Sequence, residues 1–532
     1  MRALRWVAAL ALVAGCADEA ALQGDASPDG DVSVVDAPGA DDADDAAQPV
    51  EDALAMDAPT MDAPPGDVVA RDAPSDASRD GGEGPSDRPS VPPTDGGTAE
   101  ATVAVGHPRE LRGAWIATVS NIDFPTRRGL SASQGRAELI AILDAMARAR
   151  MNAAVFQVRP EGDALYRSAI EPWSRFLTGR QGGDPGWDPL ATLVTEAHAR
   201  GIEVHAWLNP YCAAASSTYE VVAPHIAVTN PDAVVTYDGK RWMDPSRRVV
   251  QDRLSAVIRD IVARYDVDGI HFDDYFYPYP TSMPFPDGLS YMGYLMEGGT
   301  LGLADWRRDN VNRMVRRVSM EVAAQRSDVR FGISPFGIYR PGMPPGITGL
   351  DPYTAIYADS RRWLVEGWVD YLAPQLYWPS TQTAQAYGPL IAWWAGQTRD
   401  GRAIFAGNNC DRLGSSSAWT LDELRRQVAL TREQRARGAL GNIWFSVTEV
   451  RTDRMGFAAM LQREAYAAPA LTPPMAGRRA EAPVPVVRAE RGAVMVRAGA
   501  PRRWRAWCVY RMGAMTLARC ARLLRPGRST GA

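Results

Sequence analysis

Asp273 and Asp274 stand side by side at the end of an apolar stretch, residues 267–272, and Tyr275, Phe276, Tyr277 and Tyr279 follow almost at once. Surface acids usually keep company with Lys, Ser or Gly. Acids that close an apolar strand and run into rings point to carboxylates aimed into a ring-lined cleft. The chemistry such a cleft serves is glycosidic cleavage, in which one carboxyl group is protonated for the leaving oxygen and a second is ionised. Neighbouring acids cannot both ionise cheaply in a dry cleft, so one of this pair is the proton donor or merely holds the site in shape. Asp273 is the first candidate for the essential carboxylate and Asp274 the next; Asp163, Glu161 and Glu449 are the candidates for a partner from another strand.

Sugars are gripped by flat apolar rings and by planar amide, guanidinium or carboxylate groups. The residues expected to do this are Arg159, Trp207, Asn209, His271, Tyr275, Gln375, Tyr377, Trp378 and Asn408. Each has a duller reading alone: a strand-end Asn caps a loop, and a Trp packs beneath a helix. Their collection on one rim is what carries the functional reading.

That rim follows from the order of elements. From residue 112 onward, strand-like and helix-like patterns alternate. Strands are predicted at 112–121, 153–160, 203–210, from 267, and at 330–337, 370–378, 403–410 and 441–450. Helices are predicted at 134–150, 189–200, 247–265, 304–325, 353–365, 383–396, 421–437 and 454–466. This succession of βα units is the pattern of an α/β fold, a (β/α)₈ TIM barrel, whose chemistry gathers at the C-terminal strand ends. A doubly wound sheet would call for a glycine-rich phosphate turn, and the sequence has none. Strand alternation turns His271 and Asp273 inward together and Asp274 outward, for as long as the strand stays regular.

Competing chemistries have weaker support. His205, His271, Asp273 and Asp274 are the one plausible metal set, yet the sequence contains no His-x-His and no Glu-x-x-His, so neither metal nor other cofactor is expected. A nucleophile elbow is also missing. The 5 Cys lack the short paired spacings of a zinc site or a disulfide framework. No basic stretch suits a nucleic acid.

The net charge of −5 hides an uneven distribution. Residues 17–100 hold 22 acids against 3 Arg, so the remainder is net basic. Residues 1–16 read as a signal segment that ends in Val13-Ala14-Gly15-Cys16, which resembles a bacterial lipobox; Cys16 is then the lipidated residue. Ala17, in place of Asp, fits an outer-membrane lipoprotein of a Gram-negative cell. Residues 17–105, repeating Asp-Ala-Pro and Asp-Gly, read as a disordered, self-repelling tether. The barrel is expected over 106–470, and 471–532 reads as a short accessory β domain or tail.

Taken together, RGAWIATVSN, QVRPEGDALYRS, AWLNPY, DGIHFDDYFYP, FGISPFGIYR, DYLAPQLYW and GNIWFS, in that order, resemble the bacterial glycosyl-hydrolase-like family 10. The resemblance spans roughly residues 109–466. It implies a TIM-barrel hydrolase of cell-envelope or extracellular glycans, with peptidoglycan strands that lack stem peptides as one substrate type. Several members carry a fibronectin-like tail, which the short Arg-rich end here matches poorly. The polysaccharide, and a membrane reached through the lipid, are the partners implied. The rivals are a glycan-binding barrel without catalysis that tethers outer membrane to wall, and a metal-dependent polysaccharide deacetylase. The chitinase pattern Asp-Gly-x-Asp-x-Asp-x-Glu fits at Asp268, Gly269 and Asp273, but His271 and Tyr275 replace its middle Asp and its donor Glu, so substrate-assisted cleavage on the chitinase plan is not expected and the donor comes from elsewhere. Asp273 is therefore expected to be half of a pair whose other half comes from a different strand.

Overall fold

The computed structural model describes residues 109–475, and beyond them four strands as backbone alone. The expected lipobox with Cys16, the expected tether and most of the tail fall outside the described residues. Eight parallel strands close into a barrel: β1 (Leu111–Ile116), β2 (Ala153–Arg159), β3 (Glu203–Leu208), β7 (Gly269–Phe272), β8 (Arg330–Ile333), β9 (Tyr371–Leu372), β10 (Ala403–Asn409) and β11 (Ala439–Phe445). Round the barrel the order is β1-β11-β10-β9-β8-β7-β3-β2, so β11 lies across from β7. Between β3 and β7 the chain inserts an antiparallel sheet that the periodicity did not announce, made of β4 (Cys212–Ala214), β5 (Val234–Tyr237) and β6 (Lys240–Met243). In the tail, β12 (Val486–Glu490) pairs with β13 (Ala493–Arg497), and β14 (Trp507–Arg511) with β15 (Thr516–Ala521).

Two apolar layers follow from the pleat. Leu111, Trp115, Ala153, Val155, Trp207, Tyr371, Ala403, Phe405 and Ile443 fill the barrel. Their strand neighbours Ala114, Ala154, Phe156, Leu208, Leu372, Ile404, Ala406 and Trp444 pack outward against the helices. Inside, large rings lie against strand positions that have no side chain. A Cβ on Gly332 would stand 2.0 Å from the Tyr371 ring, and one on Gly269 would stand 2.7 Å from the His205 ring.

The helices start where local chemistry allows. Helix Ala132–Arg148 opens on a capping box formed by Ser131 and Gln134, and helix Pro189–Ala199 opens on Asp188 with Pro at its first position. Several predicted elements are broken or shortened. The span 353–365 splits into Pro352–Ala355 and Ser360–Val365, the second capped by Asp359. The span 454–466 is a chain of short turns instead of one helix, and residues 447–451 leave the last predicted strand to form a helix. Among the described residues no helix is long and apolar enough to cross a membrane.

Candidate active site

A cleft opens at the C-terminal end of the barrel strands. It is lined by Trp115, Val119, Gln157, Trp207, Asn209, Asp273, Asp274, Tyr275, Ser334, Gln375, Tyr377 and Phe445. Trp115, Gln157, Trp207, Asn209, Asp273, Ser334, Gln375, Tyr377 and Phe445 share one alternation phase of their strands and of the short extensions beyond them. The rim is thus the rung above the packed interior.

The two acids meet here because β7 stops at Phe272. The backbone then turns, with the Phe276 amide donating to the Asp274 carbonyl at 2.9 Å. Asp274, expected to point outward, therefore lines the cleft beside Asp273. The Trp207 indole N–H donates to Asp273 Oδ2 at 3.0 Å, and the Tyr275 amide donates to Oδ1 at 3.3 Å. Asp274 is gripped more firmly: the Tyr279 hydroxyl donates to Oδ2 at 2.6 Å, and Gln375 Nε2 donates to Oδ1 at 3.2 Å. Gln375 Nε2 is oriented in turn by the Ser334 carbonyl at 3.1 Å.

These contacts divide the labour. Burial, then the charge of Asp274, pushes Asp273 well above the ordinary carboxylate range. Burial also raises Asp274, while the Tyr279 hydroxyl and the Gln375 amide oppose the rise. Both carboxyls are thus raised, Asp273 the further, so Asp273 is the member of the pair that takes a proton more readily. Burial, followed by the charge of Asp274, keeps the Tyr279 proton in place as a donor. Tyr377 is pushed the same way by burial and by Asp274, and among the described residues its hydroxyl has no hydrogen-bond partner.

Rings form the walls. Phe445 lies 6.5 Å from Trp115 and 6.1 Å from Tyr377, centroid to centroid. Gln157 ties them to the amides: its Oε1 accepts from the Thr118 and Val119 amides at 2.9 Å, and its Nε2 donates to Asn209 Oδ1 at 3.2 Å.

Other predicted residues lie elsewhere. A β-bulge shifts the register after Gln157, so Arg159 stands opposite the outward-facing Leu208 instead of following Trp207 inward. Its guanidinium pairs with both oxygens of Glu171, at 2.8 and 2.7 Å, and donates to the Asn209 carbonyl at 2.6 Å. Arg159 is a buried strut and not a sugar ligand. Glu161 accepts from Arg175 at 3.2 Å and from the Ala215 amide at 3.1 Å, while Asp163 accepts from the Glu161 amide at 3.1 Å. Burial raises Asp163 to about 6, but neither acid lines the cleft.

Glu449 sits on the helix after β11, near Ser446 and Arg454, each 3.4 Å away. Burial, with the charges of Asp411 and Asp123, raises it to about 7. It too lies outside the cleft lining. Asn408 shares the outward phase of Ile404 and Ala406, and its amide donates to the Tyr387 hydroxyl and to Gln427. Trp378 alternates with Tyr377 and packs edge-on to Phe336, out of the lining. His271 is sealed one layer below: Trp115 Nε1 donates to its Nε2 at 3.3 Å, and its Nδ1 lies 2.9 Å from the Tyr371 hydroxyl. Among the described residues no group of three His, Cys, Asp or Glu is placed to hold a metal ion.

The cleft thus keeps Asp273, Asp274, Trp207, Asn209, Tyr275, Gln375 and Tyr377 from the sequence-predicted set. It adds Trp115, Val119 and Phe445, together with Gln157 and Ser334. Trp115 and Phe445 were legible only through the same alternation that turns Asp273 inward.

The sequence profile of the glycosyl hydrolase-like 10 family matches residues 110–419. Glycosyl hydrolase YngK of Bacillus subtilis (strain 168) is 38% identical over 383 residues, covering 69% of this chain and 74% of that protein. Glycosyl hydrolase DigH of Escherichia coli (strain K12) is 35% identical over 350 residues, covering 60% of this chain and 79% of that protein. Among solved structures, the PgaB (BpsB) glycoside hydrolase domain of Bordetella bronchiseptica aligns with a TM-score of 0.44 and 16% identity, covering 67% of this chain and 98% of that one. By its sequence match across most of the barrel, this chain belongs to the glycosyl hydrolase-like 10 family.

Proposed function

We propose that this chain is a glycoside hydrolase that cleaves O-glycosidic bonds of a cell-envelope polysaccharide, an N-acetylhexosamine polymer such as the glycan of peptidoglycan. Asp273 gives its proton to the leaving oxygen, and Asp274 supplies the negative charge that the oxocarbenium-like transition state needs. The observation that carries this reading is the Asp273–Asp274 pair in a ring-lined cleft, with Asp273 raised the further and Asp274 held by the Tyr279 hydroxyl and the Gln375 amide. The family assignment and the glycosyl hydrolases among the relatives support it. Cys16 attaches the chain by lipid to the outer membrane, and residues 17–105 let the barrel reach the polymer; the lipobox-like residues and the acidic composition support this part.

The test incubates the purified chain with peptidoglycan strands stripped of stem peptides and measures released fragments by chromatography and mass spectrometry. Release by the parent chain should fall about 10²–10⁴-fold in Asp273→Asn, the usual worth of a positioned general acid. Undiminished release in both Asp273→Asn and Asp274→Asn rules out this site. Binding without release by the parent chain favours the non-catalytic barrel, and chelator-sensitive acetate release favours the deacetylase.

A further inference from the structure

We infer that the nucleophile is the 2-acetamido group of the bound sugar, held by Asp274 and Tyr377 while Asp273 donates the proton. This rests on the glycosidase reading above. Its ground is where the carboxylates are not. An enzyme nucleophile needs two carboxyl groups about 5–5.5 Å apart on opposite sides of the anomeric carbon, and inversion sets them about 6.5–9.5 Å apart around a water.

Here both acids of the cleft are consecutive residues at the end of β7. Across the barrel stands β11, which offers Phe445, and next to it β1, which offers Trp115. On β2, beside β1, the Gln157 amide completes that side, while Asn209 follows β3 next to β7. Other acids near the rim, Asp163 and Asp411 included, lie outside the cleft lining, and three of them have partners there. Glu161 is bound to Arg175 and Ala215, and Glu449 lies against Ser446 and Arg454. Asp123 accepts from Ser446 and Thr448, at 2.7 and 2.6 Å. Among the residues that line the cleft, an acid and a neighbouring base therefore stand on one side, and rings and an amide, with no carboxylate, on the other.

A 2-acetamido sugar brings the missing group with it. Its carbonyl oxygen bonds to the anomeric carbon as the glycosidic C–O bond breaks, and the Asp273 proton passes to the leaving oxygen. The resulting oxazolinium keeps its N–H against the Asp274 carboxylate, which has lone pairs left beside those that face Tyr279 and Gln375. The unpartnered Tyr377 hydroxyl is the donor available to the acetamido oxygen. Water then adds to the anomeric carbon, its proton goes to Asp273, and the ring opens to restore the acetamide. Two displacements at one carbon retain its configuration, and one water is consumed per bond.

The experiment uses the full chain with defined N-acetylhexosamine oligosaccharides in three forms: N-acetyl, N-trifluoroacetyl and de-N-acetylated. Nuclear magnetic resonance reads the configuration of the first product. The expected result is retention, with turnover about 10²-fold or more lower for both altered forms, as befits loss of an intramolecular nucleophile. A thiazoline analogue of the cyclised sugar should inhibit the parent chain. In Asp274→Asn and Tyr377→Phe, turnover of the N-acetyl form should fall and its sensitivity to fluorination should diminish. Inverted product, or equal turnover of the acetylated and deacetylated forms, overturns the inference and leaves the glycosidase reading intact. No cleavage of any form overturns both. Because the parent chain alone decides stereochemistry and acyl dependence, a variant that fails to fold does not obscure the result.

Discussion

Replacing Trp207 by Phe should move the alkaline limb of the pH–rate profile upward. The indole N–H, 3.0 Å from Oδ2, is the donor to the Asp273 carboxyl that most favours the ionised form. A hydrogen bond to a charged group contributes about 1.5–3 kcal/mol, roughly a 10- to 100-fold effect on the ionisation equilibrium. Phe retains most of the ring surface that packs with Trp115, Tyr371 and Phe405 inside the barrel, but donates nothing. Burial and the charge of Asp274, which both favour the protonated acid, stay in place. Asp273 in the variant therefore keeps its proton to higher pH, and activity that depends on that proton persists to higher pH. The assay is kcat/KM against pH on a defined oligosaccharide, with a thermal melt to establish that the fold survives. An alkaline limb that stays put or moves downward in a folded variant refutes Asp273 as the titrating acid, or Trp207 as its modulator.

Three further outcomes follow from the same contacts. Arg159→Met takes from the buried Glu171 carboxylate its two-pronged partner and leaves it only Arg253 at 3.5 Å, so it should cost about 3 kcal/mol in chemical denaturation; full stability with a raised KM would instead mark Arg159 as a sugar ligand. Glu449 is raised from 4.5 to about 7 in the folded chain, so its contribution to stability is complete below about pH 4.5 and is lost as pH climbs through about 7. Glu449→Gln should therefore shrink the fall in Tm between about pH 5 and about pH 8, and an unchanged fall contradicts the assignment. Gly332→Ala forces a methyl group into the Tyr371 ring and should destabilise the barrel by about 1–3 kcal/mol in urea titrations, whereas a neutral effect would contradict the interior packing.

The sequence by itself determined the barrel, because the switch between period-two and helical periodicity is written locally and recurs in order. It also determined that Asp273 closes a strand and is followed by rings, and that Trp207, Asn209, Gln375 and Tyr377 crowd the same rim. Local patterning also misled in places: 353–365 breaks at a second cap, and 447–451 turns helical once the strand has ended.

What the tertiary structure alone decided was the phase. Alternation says that Asn408 faces the side opposite to Phe405, but not which side is the barrel interior; packing against Tyr387 and Gln427 settles that. The bulge after Gln157 appears only in the register with β3, and it carries Arg159 out of the cleft. The place where β7 ends is likewise set by its pairing with β3 and β8, and it is this ending that brings Asp274 round beside Asp273. Side-chain parity is a property of one strand, whereas which parity meets the substrate depends on neighbours far apart in the chain.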